Sequence, residues 1–150
     1  MPLNISLKQS RQDRMLLTLA LSIAKDGYVD LQTAYGLLMR KRHVLNPHKA
    51  NQLIIRFEKI KDGEAATLDE EDAITLVTCC DITRKIISTR LWDDVCARHL
   101  SGSAGTKKKF RIRHDLTRVC NEIFRELSEQ ALFSDAVEKQ KEILKDLLPQ

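Results

Sequence analysis

The most distinctive local sequence of the chain is SGSAGTKKKFRIRHD, which runs from Ser101 to Asp115 and combines small residues with cations. Between Ser101 and Arg113 it carries five Lys or Arg side chains and no acid, so this segment more than accounts for the net charge of +4. Such side chains can neutralise phosphates or an acidic protein surface, and Phe110 among them offers a stacking surface for a base. The cations concerned are Lys107, Lys108, Lys109, Arg111 and Arg113.

A nucleotide-binding interpretation of this segment fails on pattern and on context. The P-loop needs a glycine, four residues and then Gly-Lys-Ser/Thr, placed between a buried strand and a helix. Here Gly105 is followed by Thr106 and three lysines, and the preceding sequence has helical periodicity. We therefore predict a flexible basic loop over residues 101–113, with Asp115 available to cap the helix behind it.

A second basic cluster lies between Arg40 and Lys49, where the sequence RKRHVLNPHK contains four cations. The predicted elements around it follow the order helix, turn, helix, basic connection, helix. This order is similar to that of a winged-helix unit, in which the helix after Asn46 would enter the major groove of DNA. The connection is longer than the turn of that motif, and no β-hairpin wing is visible in the sequence. DNA binding is therefore the alternative interpretation. The cations that would contact phosphates are Arg40, Lys41, Arg42 and Lys49.

The cysteines do not form a convincing metal site. Cys96 and His99 are three residues apart on one predicted helix, and zinc accepts such ligands together with Cys79 or Cys80. No Cys-x-x-Cys pair exists in the sequence, however, and Cys80 and Cys96 fall on apolar stripes, where free cysteine is a common core residue.

A repeated Lys-Asp-Gly turn, at Asp26 and at Asp62, has a spacing close to that of paired EF-hands. In each copy an apolar residue, Ala24 or Ile60, occupies a position where calcium needs an oxygen ligand. The acids and histidines elsewhere show no nucleophile–base–orienter order. We therefore predict no catalytic residue, no cofactor and no metal site.

The elements that position these residues are helical, because helical periodicity dominates and only five glycines and three prolines interrupt it. The pattern predicts a first helix from about Leu7 to Lys25, opened by a capping box of Ser6 and Gln9 and ended at KDGYVD. A second helix is predicted for Leu31–Met39.

The third predicted helix begins at Asn46-Pro47, an N-cap followed by proline at the first helical position. Thr67 with Glu70 predicts a capping box for a long apolar helix that reaches Ile87 and that we expect to lie centrally. Further helices are predicted at Arg90–Leu100, from Leu116 onward and at Ser134–Leu148.

The last predicted helix carries more apolar residues than a terminal helix needs to cover a small core. It either packs on its own domain or forms a homodimer or partner surface. The candidate partner residues are Phe133, Val137, Leu144, Leu147 and Leu148.

Together these patterns predict one all-α domain over residues 1–150, a compact bundle of about six to seven helices. The basic loop would join the helices of residues 1–100 to those of residues 114–150. The four cysteines lack a disulfide framework and no signal peptide is visible, so we expect a cytoplasmic protein, or a nuclear one in a eukaryote, without membrane association.

We expect a non-enzymatic regulatory or adaptor protein that acts by binding a protein partner or a second copy of itself, without a small-molecule substrate. The alternative is a nucleic-acid-binding regulator that uses one or both basic clusters.

Overall fold

The computed structural model describes residues 5–35, 45–89, 91–99, 106–129 and 134–145, and in this part of the chain it contains six helices and one two-stranded sheet. The prediction of an all-α bundle of about six to seven helices is confirmed. The elements in chain order are β1 (Ile5–Lys8), α1 (Arg11–Tyr35), α2 (Pro47–Lys59), β2 (Ala65–Leu68), α3 (Glu70–Ile87), α4 (Leu91–His99), α5 (Thr106–Glu129) and α6 (Ser134–Lys145).

The bundle is built around α3, which contacts all five other helices. Its apolar side chains are buried around most of the helix circumference, as the sequence predicts for a central helix. Full burial of one Leu or Ile side chain contributes about 1.5–3 kcal/mol, so this helix supplies much of the stabilisation of the core. The fully buried large residues of α3 are Leu76, Ile82 and Ile86.

The start of α2 is confirmed at the predicted signal. The Asn46 side chain accepts hydrogen bonds from the backbone N–H groups of His48, at 3.0 Å, and Lys49, at 3.4 Å. Pro47 occupies the first helical position, where the N–H that it lacks has no partner within a helix. The apolar face of α2 is buried in the core and consists of Ala50, Leu53, Ile54 and Phe57.

A small sheet replaces two of the predicted helix starts. β1 and β2 pair antiparallel, with Leu7 opposite Ala66, and each strand satisfies backbone groups of the other. Leu7 is buried between exposed Ser6 and Lys8, which is the alternation of a strand with one covered face. A strand of four residues whose partner is distant in the chain leaves little local signal in the sequence.

The two capping boxes predicted in these segments are therefore wrong. α1 begins after Ser10, whose Oγ accepts a hydrogen bond from the backbone N–H of Asp13 at 3.1 Å. α3 is opened by a capping box that lies two residues after the predicted one. Asp69 accepts from the backbone N–H of Asp72 at 2.8 Å, and Asp72 accepts from that of Asp69 at 3.1 Å.

α1 runs without a break from Arg11 to Tyr35. The helix end predicted at KDGYVD is therefore wrong, and so is the prediction of a separate helix over Leu31–Met39. Residues 36–39 lie outside the described part of the chain. Gly27 lies inside α1, and a Cβ built on it would be 2.5 Å from Cδ1 of Ile86 in α3. The glycine therefore permits a close approach of two helices. The same tripeptide at Gly63 forms a true turn, with a φ of 87°.

The unbroken α1 also removes the helix-turn-helix arrangement on which the winged-helix interpretation depends. The region predicted to hold two helices and a turn is one continuous helix up to Tyr35.

The flexible loop predicted over residues 101–113 is wrong for residues 106–113, because α5 begins at Thr106; residues 101–105 lie outside the described part of the chain. The apolar stripe of α5 begins with Ile112, which packs half-buried against the core, before fully buried Leu116. Lysine and arginine are good helix formers, so the basic run continues the helix from this point toward its N-terminus.

Candidate functional site

The first turns of α1 and α5 leave a groove between them with a volume of about 710 Å³. Gln12, Met15, Leu16 and Leu19 form the α1 wall, and Lys108, Arg111, Ile112 and Asp115 form the α5 wall. On both walls these residues follow the spacing i, i+3, i+4, i+7, so each wall is one stripe of a helix about two turns long.

The floor of this α1–α5 groove is apolar and open to solvent. Leu16, Leu19 and Ile112 pack half-buried against the core, whereas Met15 is 63% exposed. Phe110, on the same turns of α5, is 71% exposed. An exposed apolar floor is unfavourable in water, and apolar patches of this kind mark interaction surfaces in folded proteins.

The first turns of α5 make almost no contribution to the core. Among the residues of α5 whose side chains are described, the first buried one is Leu116. Before it, Lys108, Arg111 and Arg113 are exposed. These cations therefore face solvent, while Ile112 on the same turns packs against the core.

The charge of this segment is not neutralised within the described parts of the chain. Lys108, Arg111 and Arg113 have no salt-bridge partner there, and the first turn of α5 contains no acid. Cations at a helix N-terminus also oppose the helix macrodipole, which favours negative charge at that end. The arrangement therefore disfavours the isolated helix and favours contact with an anionic group.

Arg118, further along α5, shows the contrasting case. Its guanidinium donates to Asp13 Oδ1 at 2.9 Å and to Glu122 at 3.3 Å. The hydrogen bond to Asp13, more than that to Glu122, raises the pKa of Arg118. This pairing joins α5 to the first turn of α1.

The basic residues predicted to bind phosphates lie in two places. Lys108, Arg111 and Arg113 are exposed on α5, and Lys107 and Lys109 belong to the same helix, with their side chains outside the described part. In the second cluster, Lys49 donates to Glu71 at 2.9 Å, and this hydrogen bond raises the pKa of Lys49. The remaining residues of that cluster, Arg40, Lys41 and Arg42, lie outside the described part of the chain.

The partner surface predicted on the last helix is wrong for the two residues that the structure describes. Val137 is 0% exposed and Leu144 is 2% exposed, because α6 packs this face against α3 and α5. Both side chains therefore belong to the core of the chain itself. Phe133, Leu147 and Leu148 lie outside the described residues.

The described cysteines are buried thiols. Burial raises the pKa of Cys79, and a hydrogen bond with Cys120, followed by burial, raises the pKa of Cys80. Protonated thiols are poor nucleophiles and poor metal ligands. His99, the other candidate zinc ligand, lies 3.3 Å from Asp26 in α1. Within the described residues no group of three metal-ligating side chains comes together.

Sequence reasoning found the basic wall of the groove and missed its apolar wall. Gln12, Met15, Leu16 and Leu19 are all in the first predicted helix, but they carry no motif. The one available signal was the run of apolar residues from Met15 to Ala24, which surrounds more of the helix than one core-facing stripe requires.

No known family model matches the sequence, and comparisons with curated proteins and with solved structures also give no match. Among the described helices, none is both long enough and apolar enough to cross a membrane.

Proposed function

We propose that the protein is a non-enzymatic regulatory or adaptor protein that binds another protein in the α1–α5 groove. The observation that carries this proposal is the exposure of an apolar floor beside cations that have no partner in the described chain. Apolar side chains of a partner would cover the floor, and carboxylates of the partner would form ion pairs with Lys108 and Arg111.

The contribution of the floor can be estimated from Met15. Met15 is 63% exposed, so covering the rest of its side chain contributes about 1–2 kcal/mol, which corresponds to about a fivefold to thirtyfold change in Kd. The cations add less to the affinity, because exposed ion pairs contribute about 0.2–1 kcal/mol each, but they select the charge of the partner.

The experiment is a selection of random peptides displayed on phage, with the immobilised protein as bait. Peptides that bind the groove should bind the Met15→Glu variant at least about fivefold to thirtyfold more weakly. The matched control is Ile55→Glu, which introduces the same charge at an exposed apolar residue of α2 that does not line the groove. Failure to enrich any peptide, or equal binding to both variants, would refute the proposal.

Nucleic-acid binding is the second candidate, because Phe110 is 71% exposed between cations of α5. It predicts binding of single-stranded oligonucleotides that weakens steeply between low and moderate salt. Replacing Lys107, Lys108 and Lys109 by alanine should flatten that salt dependence. Absence of binding at low salt would remove this candidate.

A further inference from the structure

We infer, on the basis of the protein-binding function proposed above, that the occupant of the α1–α5 groove is an acidic amphipathic α-helix of the partner. The inference depends on three observations: the backbone of the two walls, the spacing of their side chains and the distribution of charge along them.

The backbone of the walls excludes binding by strand addition. Beyond the first turn of each helix, the wall residues lie within α1 and α5, where backbone N–H and C=O groups bond along the helix. A strand added to a sheet edge obtains its affinity from free backbone groups of that edge. An extended peptide in this groove would find only side chains and would leave its own backbone groups unpaired.

The composition of the walls also argues against a polyproline peptide. Grooves that bind polyproline segments are lined by aromatic side chains. Here the floor is formed by Met15, Leu16, Leu19 and Ile112, which are all aliphatic. Flexible aliphatic side chains of this kind are typical of surfaces that receive amphipathic helices.

The spacing of the walls fits a third helix. The lining residues of α1 and of α5 each repeat at i, i+3, i+4 and i+7, which is the spacing of a helix face that packs against another helix. Each stripe is about 10 Å long, equal to two helical turns. A partner helix with apolar residues at the same spacing would place two turns of its own apolar face on the floor.

The charges along the groove define the partner further. Lys108 and Arg111 lie toward the N-terminal end of the α5 wall, and Asp115 lies at its other end. Carboxylates on the partner helix therefore belong beside Lys108 and Arg111, where the N-terminal end of the α5 dipole also attracts them. The site at Asp115 accepts a neutral or basic residue.

The test uses three synthetic peptides of equal length, labelled for fluorescence anisotropy, and the full-length protein at low salt. The first is an amphipathic helix with Leu at i, i+3, i+4 and i+7 and with Glu at the flanking positions. The second has Lys in place of every Glu. The third keeps the acidic composition but has two internal prolines, which prevent a helix.

The acidic helical peptide should bind, and each of the other two should bind about tenfold more weakly or worse. The double variant Lys108→Glu/Arg111→Glu should reverse the preference between the acidic and basic peptides. Both side chains are exposed and unpaired in the described chain, and acids are favourable near the N-terminus of a helix, so its circular dichroism should match that of the wild type and its free energy of unfolding should not be lower.

The failure of this inference differs from the failure of the proposed function. If phage-selected peptides bind in a Met15-dependent manner but the basic or the proline-containing peptide binds as well as the acidic helix, the inference is overturned and the proposed function stands. If the acidic peptide binds equally to Met15→Glu and is displaced by a single-stranded oligonucleotide, the surface is a phosphate-binding one and the inference is overturned. If no peptide binds the groove, both fail.

Discussion

Replacing Gly27 by alanine tests the packing of α1 against α3, which sets the position of the α1 wall of the groove. A Cβ at this position would be 2.5 Å from Cδ1 of Ile86, well inside the contact distance of about 3.5–4.0 Å between carbon atoms. Ile86 is fully buried, so its side chain can yield only by displacing its neighbours. The substitution therefore introduces strain into a closed part of the core.

Two opposing effects determine the change in the free energy of unfolding. Overpacking of a core by an added carbon typically costs about 1–3 kcal/mol. Alanine in a helix interior is about 1 kcal/mol more favourable than glycine. We therefore expect Gly27→Ala to destabilise the wild-type protein by about 1 kcal/mol net.

The substitution Ile86→Val separates these two effects, because it removes Cδ1. The atom of residue 86 nearest to the added Cβ is then Cγ1, at 3.6 Å. Ile86→Val alone should cost about 0.5–1.5 kcal/mol. In the Ile86→Val background the clash is absent and the helix propensity remains, so Gly27→Ala should stabilise by up to about 1 kcal/mol. The sign of the effect of Gly27→Ala should thus change between the two backgrounds.

Urea unfolding followed by far-UV circular dichroism measures all four free energies of this double-mutant cycle. The reasoning would be refuted by additive effects of Gly27→Ala and Ile86→Val. It would also be refuted if Gly27→Ala stabilised the wild-type protein by its full helix propensity, since the close approach of α1 and α3 would then not exist.

Three further expectations follow from local contacts. Asn46→Ala should lower the free energy of unfolding by about 1 kcal/mol, because it removes the N-cap of α2. The control Asn51→Ala, on the exposed face of the same helix, should not lower it. Equal effects of the two substitutions in urea unfolding would contradict the capping role of Asn46. Burial lowers the pKa of His99, although the negative charge of Asp26 acts in the opposite direction. The folded protein therefore binds this proton less readily than the unfolded chain does. The stability that comes from neutral His99 is present above the ordinary pKa of about 6.5 and is lost as the pH falls below it. The midpoint of urea unfolding should therefore fall on acidification, and it should fall by less in the His99→Gln variant. If the wild type and the variant show the same dependence of the midpoint on pH, His99 is not the cause of the acid sensitivity. In a Cys96→Ser variant the remaining thiols, Cys79, Cys80 and Cys120, are buried. This variant should therefore react slowly with a thiol reagent when folded and rapidly after unfolding. Fast reaction of the folded variant would contradict the burial of these three cysteines.

The sequence alone determined the features that depend on neighbouring residues. Asn46 and Pro47 marked the start of α2 correctly, because an N-cap acts through hydrogen bonds to backbone groups two and three residues away. The central position of α3 was also predictable, since a helix that is apolar around most of its circumference must be covered on most sides.

The candidate site was predictable only in part, for the same reason. The basic run that contains Lys108 and Arg111 was evident as a local excess of charge, although its helical conformation was not. The apolar wall formed by α1 was not evident, because an apolar stripe does not specify which element covers it. Val137 and Leu144 illustrate the reverse error: they are apolar enough for a partner surface, but α3 and α5 cover them.

What only the tertiary structure decided is clearest at the two Lys-Asp-Gly sequences. In one, Gly63 takes a positive φ and forms a turn; in the other, Gly27 remains helical and provides room for Ile86. The tripeptide is the same in both, so the difference arises outside it: Ile86 of α3 packs against Gly27, whereas β2 begins two residues after Gly63. Side-chain packing joins residues that are far apart in the chain, and a local pattern therefore predicts helical periodicity and caps but not which faces meet or which groove stays open.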